Sequence, residues 1–134
     1  MKLSFYLSML ILLVAFTSCK KDEPVVDYKE KYLGDYEVEE RVITTHYSSQ
    51  TIDTVYYNYQ CTVKKPTTGG GLVIESEYGE LGVQVAEDGT VSYCQRSDAG
   101  DFTNTGFIFL ITNQDCGTGP NGWLTSYNLI GVKQ

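Results

Sequence analysis

A chain of 134 residues, 42% hydrophobic and carrying 10 Lys+Arg against 17 Asp+Glu, has the length for one ordinary domain and its own core. Its net charge of -7 excludes nucleic acid and anionic lipid surfaces as natural partners, by simple repulsion. The single histidine, and four cysteines with no Cys-x-x-Cys spacing, leave no zinc or haem pattern, so no metal or cofactor is expected.

The chain opens with Lys2, an almost unbroken apolar run over residues 3–16, and Phe16-Thr17-Ser18-Cys19. About 20 apolar residues are needed to span a bilayer, so this shorter run reads as the apolar region of a secretory signal. The boundary resembles the lipobox of bacterial lipoproteins, with Phe16 where leucine is usual. That resemblance implies a diacylated Cys19 and cleavage before it. Lys20-Lys21-Asp22-Glu23 resembles the charged tether of Bacteroidota outer-membrane lipoproteins, which implies a palmitate-type lipid anchor and exposure at the cell surface. The expected division is residues 1–18 signal peptide, 19–27 lipidated tether and 28–134 folded domain. The mature chain would keep 116 residues and a charge near -8.

A short helical turn is expected over residues 25–32, stopped by Gly34. Alternation then begins. Tyr36, Val38 and Val42 share one side, Glu40 interrupts it, and Ile43 and Tyr47 fall on the other parity, which predicts a bulge near residues 40–42. The clearest strand runs over residues 53–64, with Val55, Tyr57, Tyr59, Cys61 and Val63 on one face. Pro66 and three glycines form a loop. Strands follow over residues 71–77 and 80–86, and Glu87-Asp88-Gly89-Thr90 is a tight hairpin leading to Val91 and Tyr93. Residues 95–104 are polar and read as a loop. Phe107 to Ile111 is apolar without alternation, which predicts a strand covered on both faces. A second loop over residues 113–122 precedes a last strand from Trp123 to Lys133.

Seven strands joined mostly by short turns, with no intervening helix, imply an all-β antiparallel meander, closed as a barrel or folded as a sandwich. Leu33-Gly34-Asp35-Tyr36 after a helical turn resembles the Gly-x-Trp opening of lipocalin-like barrels, with Tyr36 in the tryptophan position. Tyr127-Asn128-Leu129-Ile130-Gly131-Val132-Lys133 is similar to the closing strand of small bacterial lipocalin-like lipoproteins. The resemblance implies a barrel of seven to eight strands and a small-molecule ligand.

Candidate site residues are few. Tyr57, Tyr59, Phe107 and Phe109 are expected to line the interior, and Trp123, at a loop edge, offers a glycan or peptide contact against an equal case for capping the barrel. Tyr56 is read as cross-strand packing. Asp98, Asp101 and Asn104 lack calcium-loop spacing, and Glu37, Glu39, Glu75 and Glu77 read as solvated faces rather than a glycosidase pair. His46 has no nucleophile near it in sequence and reads as a surface residue. With Cys19 lipidated, three cysteines remain for an oxidising compartment. A seven-strand meander places Cys61 and Cys116 at one end, which predicts that they are bridged and Cys94 is free. The expected activity is non-catalytic binding of a small apolar molecule or glycan; the alternative is an interaction lipoprotein with a filled core that meets protein partners through its loops.

Overall fold

The computed structural model describes residues 27–117 and 122–134; the signal, Cys19, most of the tether and residues 118–121 of the last loop lie outside the described residues. After a 3-10 turn, Tyr28–Tyr32, come β1 Gly34–His46, β2 Thr51–Lys64, β3 Leu72–Ser76, β4 Gly79–Val85, β5 Thr90–Tyr93, β6 Arg96–Phe102, β7 Gly106–Thr112 and β8 Trp123–Lys133. All neighbours pair antiparallel in chain order, and β8 returns to β1, so the sheet closes into an eight-stranded barrel and the sandwich is excluded. Closure removes most of the free edges that an open meander would expose.

Odd-numbered strands run from a closed end to an open end, and even-numbered strands run back. At the closed end the 3-10 turn forms a floor. Asp27 caps it, its side chain accepting from the Lys29 amide at 3.0 Å. Tyr28 donates from its hydroxyl to the Val85 carbonyl at 2.7 Å, and Lys133 donates to the Lys31 carbonyl at 2.8 Å, so the turn is held by β4 and β8. Tyr32 is buried against Phe102, ring centroids 5.0 Å apart, and its carbonyl accepts from the Tyr36 hydroxyl at 2.7 Å.

Above this floor the lower barrel is solid. Phe107 and Phe109 stack at 4.5 Å, Phe102 meets both edge-on, and Tyr36 closes on Phe107 at 5.2 Å. Val38, Cys61, Val63, Leu72, Ile74 and Val91 pack around them. Burying this cluster drives folding, since each aromatic ring removes a large apolar area from water. The hairpin between β4 and β5 forms as its Asp-Gly pair predicts. Gly89 adopts φ 101°, and a Cβ there would lie 2.3 Å from the Phe102 carbonyl oxygen, so only glycine fits.

Several expectations are corrected. No bulge occurs at residues 40–42: β1 pairs in unbroken register with β2 over its whole length and with β8 from Tyr36 to His46, and Glu40 points inward with Tyr36 and Val38. The irregularity lies instead between β5 and β6, where Val91 faces Gly100 but Tyr93 faces Arg96. Residues 96–102, read as loop, are a full strand. That eighth strand reverses the direction of everything after it and carries Cys116 to the open end, beside Cys94. The disulfide is therefore Cys94–Cys116, with Cα atoms 5.0 Å apart, and not Cys61 with Cys116; Cys61 is a free thiol in the core. Finally, β7 is not covered on both faces. It alternates strictly, with Ile108 63% and Leu110 40% exposed on the outside.

Candidate ligand-binding cavity

The strands are unequal, and that inequality makes the site. β1, β2 and β8 are 13, 14 and 11 residues long, whereas β3 and β5 are 5 and 4. The short wall ends at Ser76 and Tyr93, and the tall wall continues past it. Between them, at the open end, lies a cavity of 380 Å³, within the usual range for small-molecule sites.

The parity of β1 and β2 sets its contents. Val38 is opposite Tyr59, and Glu40 is opposite Tyr57 on β2 and Leu129 on β8. Below Glu40 the core is full; at Glu40 it opens. The aliphatic base is Ile74, Leu81, Ile111 and Leu129. Four tyrosines stand above it: Tyr59 from β2, Tyr78 from the turn between β3 and β4, Tyr93 from β5 and Tyr127 from β8. Tyr78 braces the β2 pair, edge-on to Tyr59 at 5.1 Å and tilted to Tyr57 at 5.8 Å.

Glu40 is half-buried, and among the described residues it has no ion pair. Desolvation, reinforced by the Glu40 carboxylate beside it, pushes the Tyr59 hydroxyl well above the ordinary tyrosine range, so that it stays a protonated donor. The other carboxylate at the rim, Glu80, lies 3.5 Å from the Lys64 ammonium. Among the described residues no Lys, Arg or His lines the cavity.

The rim is held covalently. Cys116 reaches the cavity from the loop after β7, and its bridge to Cys94 clamps that loop to the turn between β5 and β6. The Gln95 amide donates to the Asp115 carbonyl at 3.1 Å across the same junction, and Asp115 accepts from the Thr112 amide at 2.6 Å. Asn113 ties the loop to β8, its side chain accepting from the Thr125 amide at 3.1 Å and its own amide donating to the Thr125 carbonyl at 3.0 Å.

Of the residues expected at the site, Tyr59 lines the cavity. Tyr57 shares its parity but stands at the mouth, 40% exposed, touching the site through Tyr78. Phe107 and Phe109 do not line it: they are fully buried in the solid lower core. Trp123 is 41% exposed on the tall wall beyond the cavity. Its register partner on that wall, His46, lies 3.3 Å from Asp53. Cys19 lies outside the described residues. The residues that sequence reasoning missed are Glu40, Tyr78, Tyr93 and Tyr127 as liners. Glu40 carried a signal, an inward charge breaking an apolar face; Tyr78, on a turn, carried none.

No family model, curated protein or solved structure matches this chain.

Proposed function

We propose that the protein is a surface-exposed outer-membrane lipoprotein, anchored through an acylated Cys19, whose barrel binds a small molecule in the cavity at its open end without chemically altering it. The observation that carries the binding reading is the cavity of 380 Å³, where a solid core stops at Glu40 and gives way to tyrosines and aliphatic side chains around one unpaired carboxylate. A concave apolar site with a few convergent polar groups is the usual form of a small-molecule pocket. The anchoring rests on the lipobox-like residues 16–19, and two or more acyl chains would hold the protein firmly at about 0.8 kcal/mol per buried methylene.

Native mass spectrometry of the protein incubated with cell-envelope extract tests the binding. We expect a stoichiometric adduct that disappears on unfolding and in Ser76→Phe, which fills the cavity from its short wall. An adduct that survives Ser76→Phe would place the ligand elsewhere. Incorporation of labelled palmitate, lost in Cys19→Ala, tests the anchor.

One observation favours a second reading, an interaction lipoprotein. β3 pairs with β2 only over Cys61 to Lys64, so among the described residues β2 from Thr51 to Gln60 has a partner on one side alone. Such an edge can take an added strand from another protein. In that case Tyr56→Lys, on the exposed part of this strand, would abolish cross-linking to the partner and leave the small-molecule adduct intact.

A further inference from the structure

The most informative group in the molecule is the carboxylate that nothing neutralises. Glu40 faces the cavity from the middle of β1, and on that face its two cross-strand neighbours are Tyr57 and Leu129, neither of them a cation. The adjacent base in sequence, Arg41, is exposed and has the opposite parity, so it faces away. Two bases stand near the rim and both are engaged: Lys64 with Glu75 and Glu80, and Arg96, the register partner of Tyr93, with Asp115 at 3.9 Å and the Asp98 carbonyl at 2.8 Å. A half-buried charge among apolar and aromatic groups becomes costly once a ligand displaces its remaining water, unless a counter-charge meets it. Among the described residues the chain supplies none.

The walls carry the same message. Tyr59, Tyr93 and Tyr127 enter the cavity from three different strands, with Tyr78 at its lip. The face of a phenol ring is electronegative and attracts cations, most strongly where water is excluded. An anionic ligand would meet Glu40, Glu80 and a net charge of -7 with no compensating base in the site. A neutral apolar ligand would strip water from Glu40 and return nothing.

We infer that the cavity takes an organic cation, a substituted ammonium group on an apolar body, with Glu40 as its counter-ion, Tyr59, Tyr93 and Tyr127 as π walls, and Ile74, Leu81 and Ile111 receiving the apolar part. The inference rests on the binding reading above and adds the charge of the ligand to it. Tyr59 completes the arrangement. Its hydroxyl, kept protonated beside the Glu40 carboxylate, adds a donor to the site without adding a competing charge.

The test is isothermal titration of the full chain with three probes of one shape: a phenylpropyl-trimethylammonium ion, its neutral tert-butyl isostere and the corresponding carboxylate. The cation is expected to bind at least about tenfold more tightly than the isostere, and the carboxylate not measurably, the difference reflecting one carboxylate and several ring faces. Glu40→Gln, of unchanged size, should lower affinity for the cation about tenfold and leave the isostere unaltered. Asp101→Asn, at an exposed carboxylate of β6 outside the cavity, should change neither by more than about twofold. Equal binding of cation and isostere, or preference for the carboxylate, would overturn the cation assignment while leaving the cavity a binding site. Binding of none of the three, with the barrel folded by circular dichroism, would overturn both. Should Glu40→Gln unfold the protein, Tyr93→Leu and Tyr127→Leu replace it: both should weaken the cation selectively, and equal losses for cation and isostere would count against the assignment.

Discussion

Glycine 131 and the ring of Phe107 occupy one space. A Cβ on Gly131 would lie 2.3 Å from that ring, inside any real contact distance. Phe107 cannot retreat, because Phe109 stacks on it and Tyr36 and Phe102 hold its other sides. Gly131→Ala should therefore behave as an overpacked core and cost roughly 1–3 kcal/mol in urea denaturation. Two neighbouring groups give the protein an alkaline limit. Burial, with the nearby Asp35 charge, pushes the Cys61 thiol up from 9.0 to about 11, and burial pushes the Tyr36 hydroxyl up from 10.0 to about 12. Both hold their protons more tightly folded than unfolded. Their contribution is complete below about pH 9 and is lost as the pH rises through 11 and 12, because the unfolded chain releases these protons first. Denaturation midpoints across pH 8 to 12 should show the fall, and Cys61→Ala should make it shallower. The same burial should leave Cys61 unreactive toward thiol reagents at pH 8 until the barrel unfolds.

Among the elements, β2 was legible in the sequence and β6 was not, for one physical reason. From Val55 to Val63 the inward face of β2 is continuously apolar, so its period of two survives. β6 buries only Ala99 and Phe102 out of seven residues, and an irregular register with β5 shifts its parity midway, so Arg-Ser-Asp-Ala-Gly-Asp shows no period at all. One unread strand was enough to send Cys116 to the wrong end of the barrel. The site was legible to the same degree. Tyr59 follows from parity; Tyr93 becomes a cavity wall only because β5 ends at the open rim; Tyr78 depends on a turn that folds against β2, which no local pattern records. The disulfide that β6 repositions has its own measurable role. It closes a loop with a sequence separation of 22, for which chain-entropy arguments give about 3 kcal/mol. Cys94→Ser with Cys116→Ser should lose up to that amount in chemical denaturation. Hydrogen exchange should quicken first around Gln95 and Asp115, whose backbone bond the bridge holds in place.

For the whole molecule, the division into a filled base and a hollow top sets where stability resides. Backbone amides in β7 and the lower part of β1, sealed by Phe107, Phe109 and Tyr36, should exchange only with global unfolding, whereas every second amide between Thr51 and Gln60, on the unpaired edge of β2, should exchange at once. The outer strip of Ile108 and Ile130, which face each other across β7 and β8, lies away from both core and cavity. Ile108→Lys should therefore change stability by less than about 1 kcal/mol, the worth of one cross-strand pair, and leave ligand binding as it was, in thermal melts and titration respectively.

The chain enters the barrel through its floor, so Asp27 and the 3-10 turn lie at the end opposite the cavity. Eight peptide units separate Asp27 from Cys19, a reach of at most about 28 Å when fully extended. Under the proposed anchoring the molecule is a cup standing on its base. A lipid at Cys19 would keep the sealed end nearer the bilayer, with the mouth and its carboxylate at the far end. A guest would then arrive from the surrounding medium rather than out of the membrane, and the anchor would confine the cup to the surface without occupying or shading its opening.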